Sequence, residues 1–113
     1  EFGFLWYDKI NMVNTRRKGR KNELKARDFL LGLGYLVELT KNPSRFQKQQ
    51  DLFGLWDLMA IRDDGILFIQ VKSNRRVYGK ELARYLNFPK PPGCSLQIWT
   101  YWDRKNEPEI ITY

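Results

Sequence analysis

Apolar and polar positions along this chain follow two different rhythms. From about Lys18 to Leu33 the apolar residues Ala26, Phe29, Leu30 and Leu33 recur at helical spacing, which predicts an amphipathic helix with one apolar face. Thr15 is placed to cap its start, and Gly34 to stop it. The runs that follow are short, apolar or alternating, and bounded by turn residues. They predict strands over Tyr35–Leu39, Leu55–Ile61, Ile66–Lys72 and Ser95–Trp102, with a last short one over Glu109–Thr112. Asp63, Asp64 and Gly65 form a hairpin signal between the second and third strands. The polar stretch Thr40–Gln50, with Pro43 and Ser44, reads as a loop. Lys80–Leu86 predicts a short helix that Pro89, Pro91, Pro92 and Gly93 prevent from continuing. The order is helix, three strands, helix, then one or two strands. That is an α/β fold with a mixed central sheet flanked by helices. The expected organisation is one domain over residues 1–113, with 1–14 as an extension of it.

Two of the strands break their own pattern. Leu55, Asp57, Met59 and Ile61 share one strand face, so an aspartate interrupts an apolar row. In the next strand Ile66, Phe68, Gln70 and Lys72 share a face, and an amide and an ammonium replace apolar residues at its end. Burying such groups without partners costs on the order of several kcal/mol, so they are expected to meet one another or a ligand. The short turn between the strands makes them neighbours, which brings Asp57 near Gln70 and Lys72. Glu23 lies one helical turn before Ala26, at the leading edge of the apolar face, where a helix packed on the sheet carries it to the same place. Two carboxylates, an amide oxygen and a lysine suit Mg²⁺, a hard cation that takes one or two carboxylates and keeps several waters. Asp57 is the expected principal ligand, Gln70 the second and the Val71 carbonyl the third. Glu23 binds directly, through water, or orients the site. Lys72 faces the attacking water or the reacting phosphate. The plain alternative is a structural Asp57–Lys72 cross-strand ion pair with Gln70 merely polar. It is favoured for any one residue, and the four residues together favour a site.

Composition then narrows the chemistry. The chain has no histidine and one cysteine, Cys94. Imidazole bases, Ser-His and Cys-His hydrolases, disulfide frameworks and cysteine-rich zinc sites are therefore excluded. No apolar run approaches the ~20 residues of a membrane span, and no signal peptide is recognisable. The expected location is the cytoplasm of an archaeal, bacterial or virus-infected cell. The net charge is +7, and Arg16, Arg17, Lys18, Arg20, Lys21, Lys25 and Arg27 form a cluster interrupted by Glu23. Such a patch fits either a polyanion such as DNA or RNA, or a solvated helix face.

An acidic helix residue, then Asp57, then Gln70-Val71-Lys72 on the following strand resembles the PD-(D/E)XK nuclease superfamily. Within it the chain is most similar to small archaeal and viral Holliday junction resolvases. The basic opening from Arg16 to Glu23, with Gly19 four residues before the glutamate, and the strand from Leu55 to Ala60 carry that likeness. It covers about Arg16 to Ser73, and the rest by element order alone. The resemblance implies a restriction-endonuclease-like core of order α-β-β-β-α-β. It implies a Mg²⁺-dependent endonuclease, with Mn²⁺ able to substitute, acting on branched or duplex DNA, with no membrane or small-molecule partner. It also implies a homodimer, whose interface Trp99, Tyr101 and Trp102 or Phe4 to Tyr7 would supply, unless these aromatics fill the core. Arg16, Arg17, Lys18, Arg20, Lys21, Arg75 and Arg76 are the expected phosphate contacts, and Lys41, Ser44 and Arg45 are expected near the cut. Those resolvases usually carry glutamate where this chain has Gln70. That keeps two alternatives open: another nuclease of the same superfamily, of nicking, repair or restriction type, or a DNA-binding module that has lost catalysis.

Overall fold

The computed structural model describes residues 18–40 and 51–113. Its first helix, α1, occupies 18–32. It ends in a Schellman arrangement: the Tyr35 N–H donates to the Leu30 carbonyl at 3.1 Å and the Gly34 N–H to the Leu31 carbonyl at 3.1 Å. This closure needs a left-handed residue, and Gly34 supplies it with φ of 90°. The predicted cap at Thr15 lies outside the described residues.

Five strands and a second helix follow: β1 (Leu36–Leu39), β2 (Leu58–Arg62), β3 (Gly65–Ser73), α2 (Gly79–Leu86), β4 (Cys94–Tyr101) and β5 (Glu109–Thr112). They form one sheet in the order β1-β2-β3-β4-β5. The pairs β1–β2, β2–β3 and β4–β5 are antiparallel, while β3–β4 is parallel. A parallel pair needs a crossover, and α2 is that crossover. The β2–β3 hairpin closes with Arg62 opposite Gly65 across Asp63 and Asp64. Gly65 is required there, because a Cβ would come within 2.2 Å of the Gly93 carbonyl oxygen, and its φ is 151°.

The two sheet faces are covered separately. On one face Ala26 and Leu30 of α1 pack with Leu58, Ala60, Ile69, Val71, Trp99 and Tyr101. On the other, Tyr85 of α2 packs with Trp56, Val77, Cys94, Leu96 and Ile98, with Phe68, Leu82 and Phe88 against them. The molecule is thus an α/β sandwich with a five-stranded mixed sheet flanked by helices.

Several expectations are corrected. The buried stripe of α1 is Asn22, Glu23, Ala26 and Leu30, whereas Phe29 and Leu33 are about half exposed. Phe29 still touches the core edge-on, with its ring centroid 5.8 Å from that of Trp99. Trp99 and Tyr101 belong to the core and are not available as an interface. The expected strand from Leu55 starts only at Leu58. Before it the chain makes a tight turn closed by a Leu52–Trp56 bridge, with Phe53 and Gly54 at positive φ. No helix among the described residues is long and apolar enough to cross a membrane.

Candidate active site

The site lies where two adjacent strands part. β2 and β3 pair up to Leu58 opposite Ile69, and β3 then runs on through Gln70, Val71, Lys72 and Ser73 with, among the described residues, only β4 paired to it. Asp57 stands at this fork, just before β2. Its N–H donates to the Ile69 carbonyl at 2.9 Å, and its own carbonyl accepts the Thr40 N–H at 3.0 Å, so its backbone is tied to β3 and to the end of β1. Its Oδ2 accepts the Val71 N–H at 3.0 Å and caps the β3 edge that β2 has left. N–H and C=O of one extended residue leave the strand on the same edge, so the Val71 carbonyl opens into the fork as well.

The layers explain how the other side chains arrive. By strand alternation Gln70 and Lys72 follow Phe68 onto the α2 face, while α1 packs on the opposite face. Glu23 and Gln70 therefore come from different layers, one on the helix and one on the sheet. The Glu23 charge nevertheless reaches Asp57 just before β2, where no strand stands between the layers among the described residues. Asn22 fixes α1 at this place: its Nδ2 donates to the Ser73 Oγ at 2.7 Å. Glu23 is buried beside it and accepts the Arg20 guanidinium at 3.2 Å, and the same guanidinium nitrogen donates to the Thr40 carbonyl at 2.8 Å.

The electrostatics at the fork favour a cation. Burial raises the Asp57 pKa, the Glu23 charge raises it further, and the Val71 N–H and Lys72 partly offset this. Burial likewise raises Glu23, against the opposing influence of Arg20. Asp51, which the sequence reading missed, acts on both: its charge raises Glu23 and Asp57 alike. Three buried side-chain oxygens, Gln70 Oε1, Asp51 Oδ1 and Thr40 Oγ1, have no hydrogen-bond partner among the described residues. Buried acceptors without donors, beside carboxylates that resist ionising, make a donor set that fits a hard divalent ion. Among the described residues no three His, Cys, Asp or Glu groups converge as a ready-made cage. Two carboxylates completed by an amide, a backbone carbonyl and water fit Mg²⁺ without one.

Lys72 is on the same strand face as Gln70, with its Nζ 2.8 Å from Glu81 Oε1 of α2. Glu81 is the second residue missed. Its only sequence signal is an acidic side chain in the first turn of the predicted helix, which many helices carry for the sake of their dipole. Asp51 closes the polar loop ahead of the predicted strand and stands out no more than that.

The expected phosphate contacts divide. Lys21 is exposed on α1. Lys18 pairs with Asp103, Arg20 with Glu23, Arg75 with Glu81 and Arg76 with Glu109. Arg16, Arg17, Lys41, Ser44 and Arg45 lie outside the described residues, as do Phe4 to Tyr7. Comparison with known protein families, curated proteins and solved structures finds no match to this chain.

Proposed function

We propose that this chain is a PD-(D/E)XK-type, Mg²⁺-dependent, structure-selective DNA endonuclease with a restriction-endonuclease-like core, and that it resolves four-way DNA junctions. The observation that carries the reading is the fork. Asp57 caps the Val71 N–H where β2 and β3 part, Gln70 and Lys72 flank Val71 on β3, and the Glu23 charge reaches Asp57 from the opposite layer. The order of elements, with an antiparallel hairpin followed by a helical crossover to a parallel strand, supports the same reading.

Asp57, Gln70 Oε1, the Val71 carbonyl and, directly or through water, Glu23 would hold the ion, with Mn²⁺ able to replace Mg²⁺. When bound, the ion supplies Lewis-acid polarisation of the phosphate and acidifies a water. The chain's own groups do the rest. The Val71 N–H holds the Asp57 carboxylate in one orientation. The Lys72 ammonium neutralises charge that develops on the phosphate oxygens. Basic residues of α1, the exposed Lys21 among them, place the backbone without reading bases. A two-fold homodimer puts two such sites on opposite strands of a junction.

One observation favours a second reading, a DNA-holding module without turnover. Gln70 is uncharged, and no three carboxylates converge among the described residues.

A cleavage assay separates the two. Labelled four-way junction, flap, single-strand and linear duplex DNA are incubated with Mg²⁺, Mn²⁺ or EDTA, using the native protein and Asp57→Asn. Paired junction nicks that vanish in EDTA and in the variant are expected. Cutting of another substrate keeps the site and changes the substrate class. Retained binding with no cutting under either ion establishes the holding module.

A further inference from the structure

Lys72 is not loose at the end of its strand. Its ammonium contacts Glu81 Oε1 at 2.8 Å, and its side chain is only 13% exposed. Glu81 is held in turn by Arg75, whose two terminal nitrogens donate to the two carboxylate oxygens at 2.9 and 3.0 Å. A backbone device delivers Arg75. Past Ser73 the chain turns at Asn74, a non-glycine residue in the left-handed region with φ of 57°. Such a conformation persists where the surroundings over-determine it. Here the Asn74 N–H donates to the Tyr101 carbonyl at 2.9 Å, and its Oδ1 accepts the Asp103 N–H at 2.8 Å. One line of contacts therefore runs from the end of β4 through Asn74, Arg75 and Glu81 to Lys72.

On the nuclease reading of the fork, we infer that Glu81 is the positioning residue for Lys72, and that Arg75 serves as the lock on Glu81 and not as a contact to DNA. A lysine is a compact charge on a flexible stem, and by itself it adopts whatever anion is nearest. The other carboxylate that feels the Lys72 charge is Asp57. Without Glu81 the ammonium would settle on Asp57 and occupy oxygen that the cation needs. With Glu81 in place, Asp57 stays available to the ion and Lys72 to the phosphate. The planar fork of Arg75 is matched to both oxygens of Glu81, which is the geometry that holds a carboxylate in one orientation.

The test uses the whole chain as native protein and as Glu81→Gln, Glu81→Asp, Arg75→Ala, Lys72→Ala and the Glu81→Gln/Lys72→Ala double variant. Three quantities are read: kcat on saturating junction DNA, Kd for the same DNA in EDTA, and the side-chain ¹⁵N resonance of the Lys72 ammonium without divalent ions. Glu81→Gln should lower kcat about 10- to 100-fold with Kd within about twofold of native. Arg75→Ala should move kcat in the same direction by less, and Glu81→Asp should recover part of the loss. On the Lys72→Ala background Glu81→Gln should change nothing further, because a residue that acts only through another is not additive with it. The Lys72 resonance, sharp in the native protein, should disappear in Glu81→Gln. Native kcat in Glu81→Gln overturns the inference, as does Arg75→Ala that weakens binding about tenfold with kcat intact. Should the native protein cut none of the DNAs, the nuclease reading fails by itself. The positioning role then stands or falls on whether Glu81→Gln abolishes the Lys72 resonance.

Discussion

At the scale of single residues, Asp57 is a buried carboxyl held against its own charge. It is 4% exposed, and burial with the Glu23 charge lifts its pKa from 3.8 to about 7. A carboxyl whose folded pKa is raised binds its proton more tightly in the folded state than in the unfolded one. Its stabilising share is therefore complete below about pH 4 and is lost as pH rises through about 7. Without divalent ions, Tm should fall between pH 5 and 8 in the native protein. Asp57→Asn keeps an oxygen for the Val71 N–H and removes the charge. It should flatten that dependence and raise stability at pH 8 by about 2 kcal/mol, several degrees in Tm. Added Mg²⁺ should raise the native Tm at pH 8 and leave the variant's almost unmoved. Thermal melts over this pH range decide it, and a native Tm that climbs steadily from pH 5 to 8 would count against a strained Asp57. Glu81 has the opposite sign. Arg75, and after it Lys72, draws its pKa down to about 2, so its ion pairs persist in mild acid and fail only as pH falls toward that value.

At the scale of elements, the hairpin end of the sheet is fastened through backbone. The Ile66 N–H donates to the Gly93 carbonyl at 2.8 Å, and Gly65 leaves no room for a side chain against that same carbonyl. Gly65→Ala should cost about 3 kcal/mol or more, since it adds both a clash with backbone and an unfavourable φ. Gly34→Ala, also at positive φ but in open space, should cost less, about 1 kcal/mol. Urea titrations of the two variants give the comparison, and equal losses would show that backbone conformation alone decides. The same elements indicate what the sequence discloses. Both helices and all five strands lie within a few residues of where periodicity and turn residues put them. Those signals are local, and packing had only to agree with them. The start of β2 was misplaced because Leu55 and Trp56 are as apolar as a strand, yet they serve a turn. Asp57, Gln70 and Lys72 were legible because each breaks an apolar pattern. Asp51 and Glu81 break none: they sit among polar neighbours, and only the fold brings them to the fork. Phe29 and Leu33 misled for the converse reason, since helical spacing tells which residues share a face but not how wide the covered part of it is.

At the scale of the whole molecule, the charge of +7 is less available than it looks. Lys18, Arg20, Arg75 and Arg76 each face a carboxylate. A cation already paired releases fewer counterions when it meets a phosphate than a solvated one does. If the protein holds DNA as proposed, Lys21→Ala should lower the slope of log K against log salt by about 1. Arg76→Ala should lower it by clearly less. Binding isotherms from 50 to about 200 mM salt measure both slopes. Equal slopes for the two variants would mean that the Glu109 pair opens on binding.

The same sheet is clamped at one end and split at the other. At the Gly65–Gly93 end two chain segments lock through backbone, whereas at the fork β3 is held on one side by β4 and on the other, among the described residues, by the Asp57 side chain. Slow exchange of backbone amide protons is expected at the first end, and faster exchange at the Val71 amide, whose acceptor is a carboxylate that burial disfavours in its charged form. Heat therefore undoes the fork before it undoes the fold. A preparation can retain its full circular dichroism after the fork has opened, so spectroscopic integrity is no certificate of an intact fork.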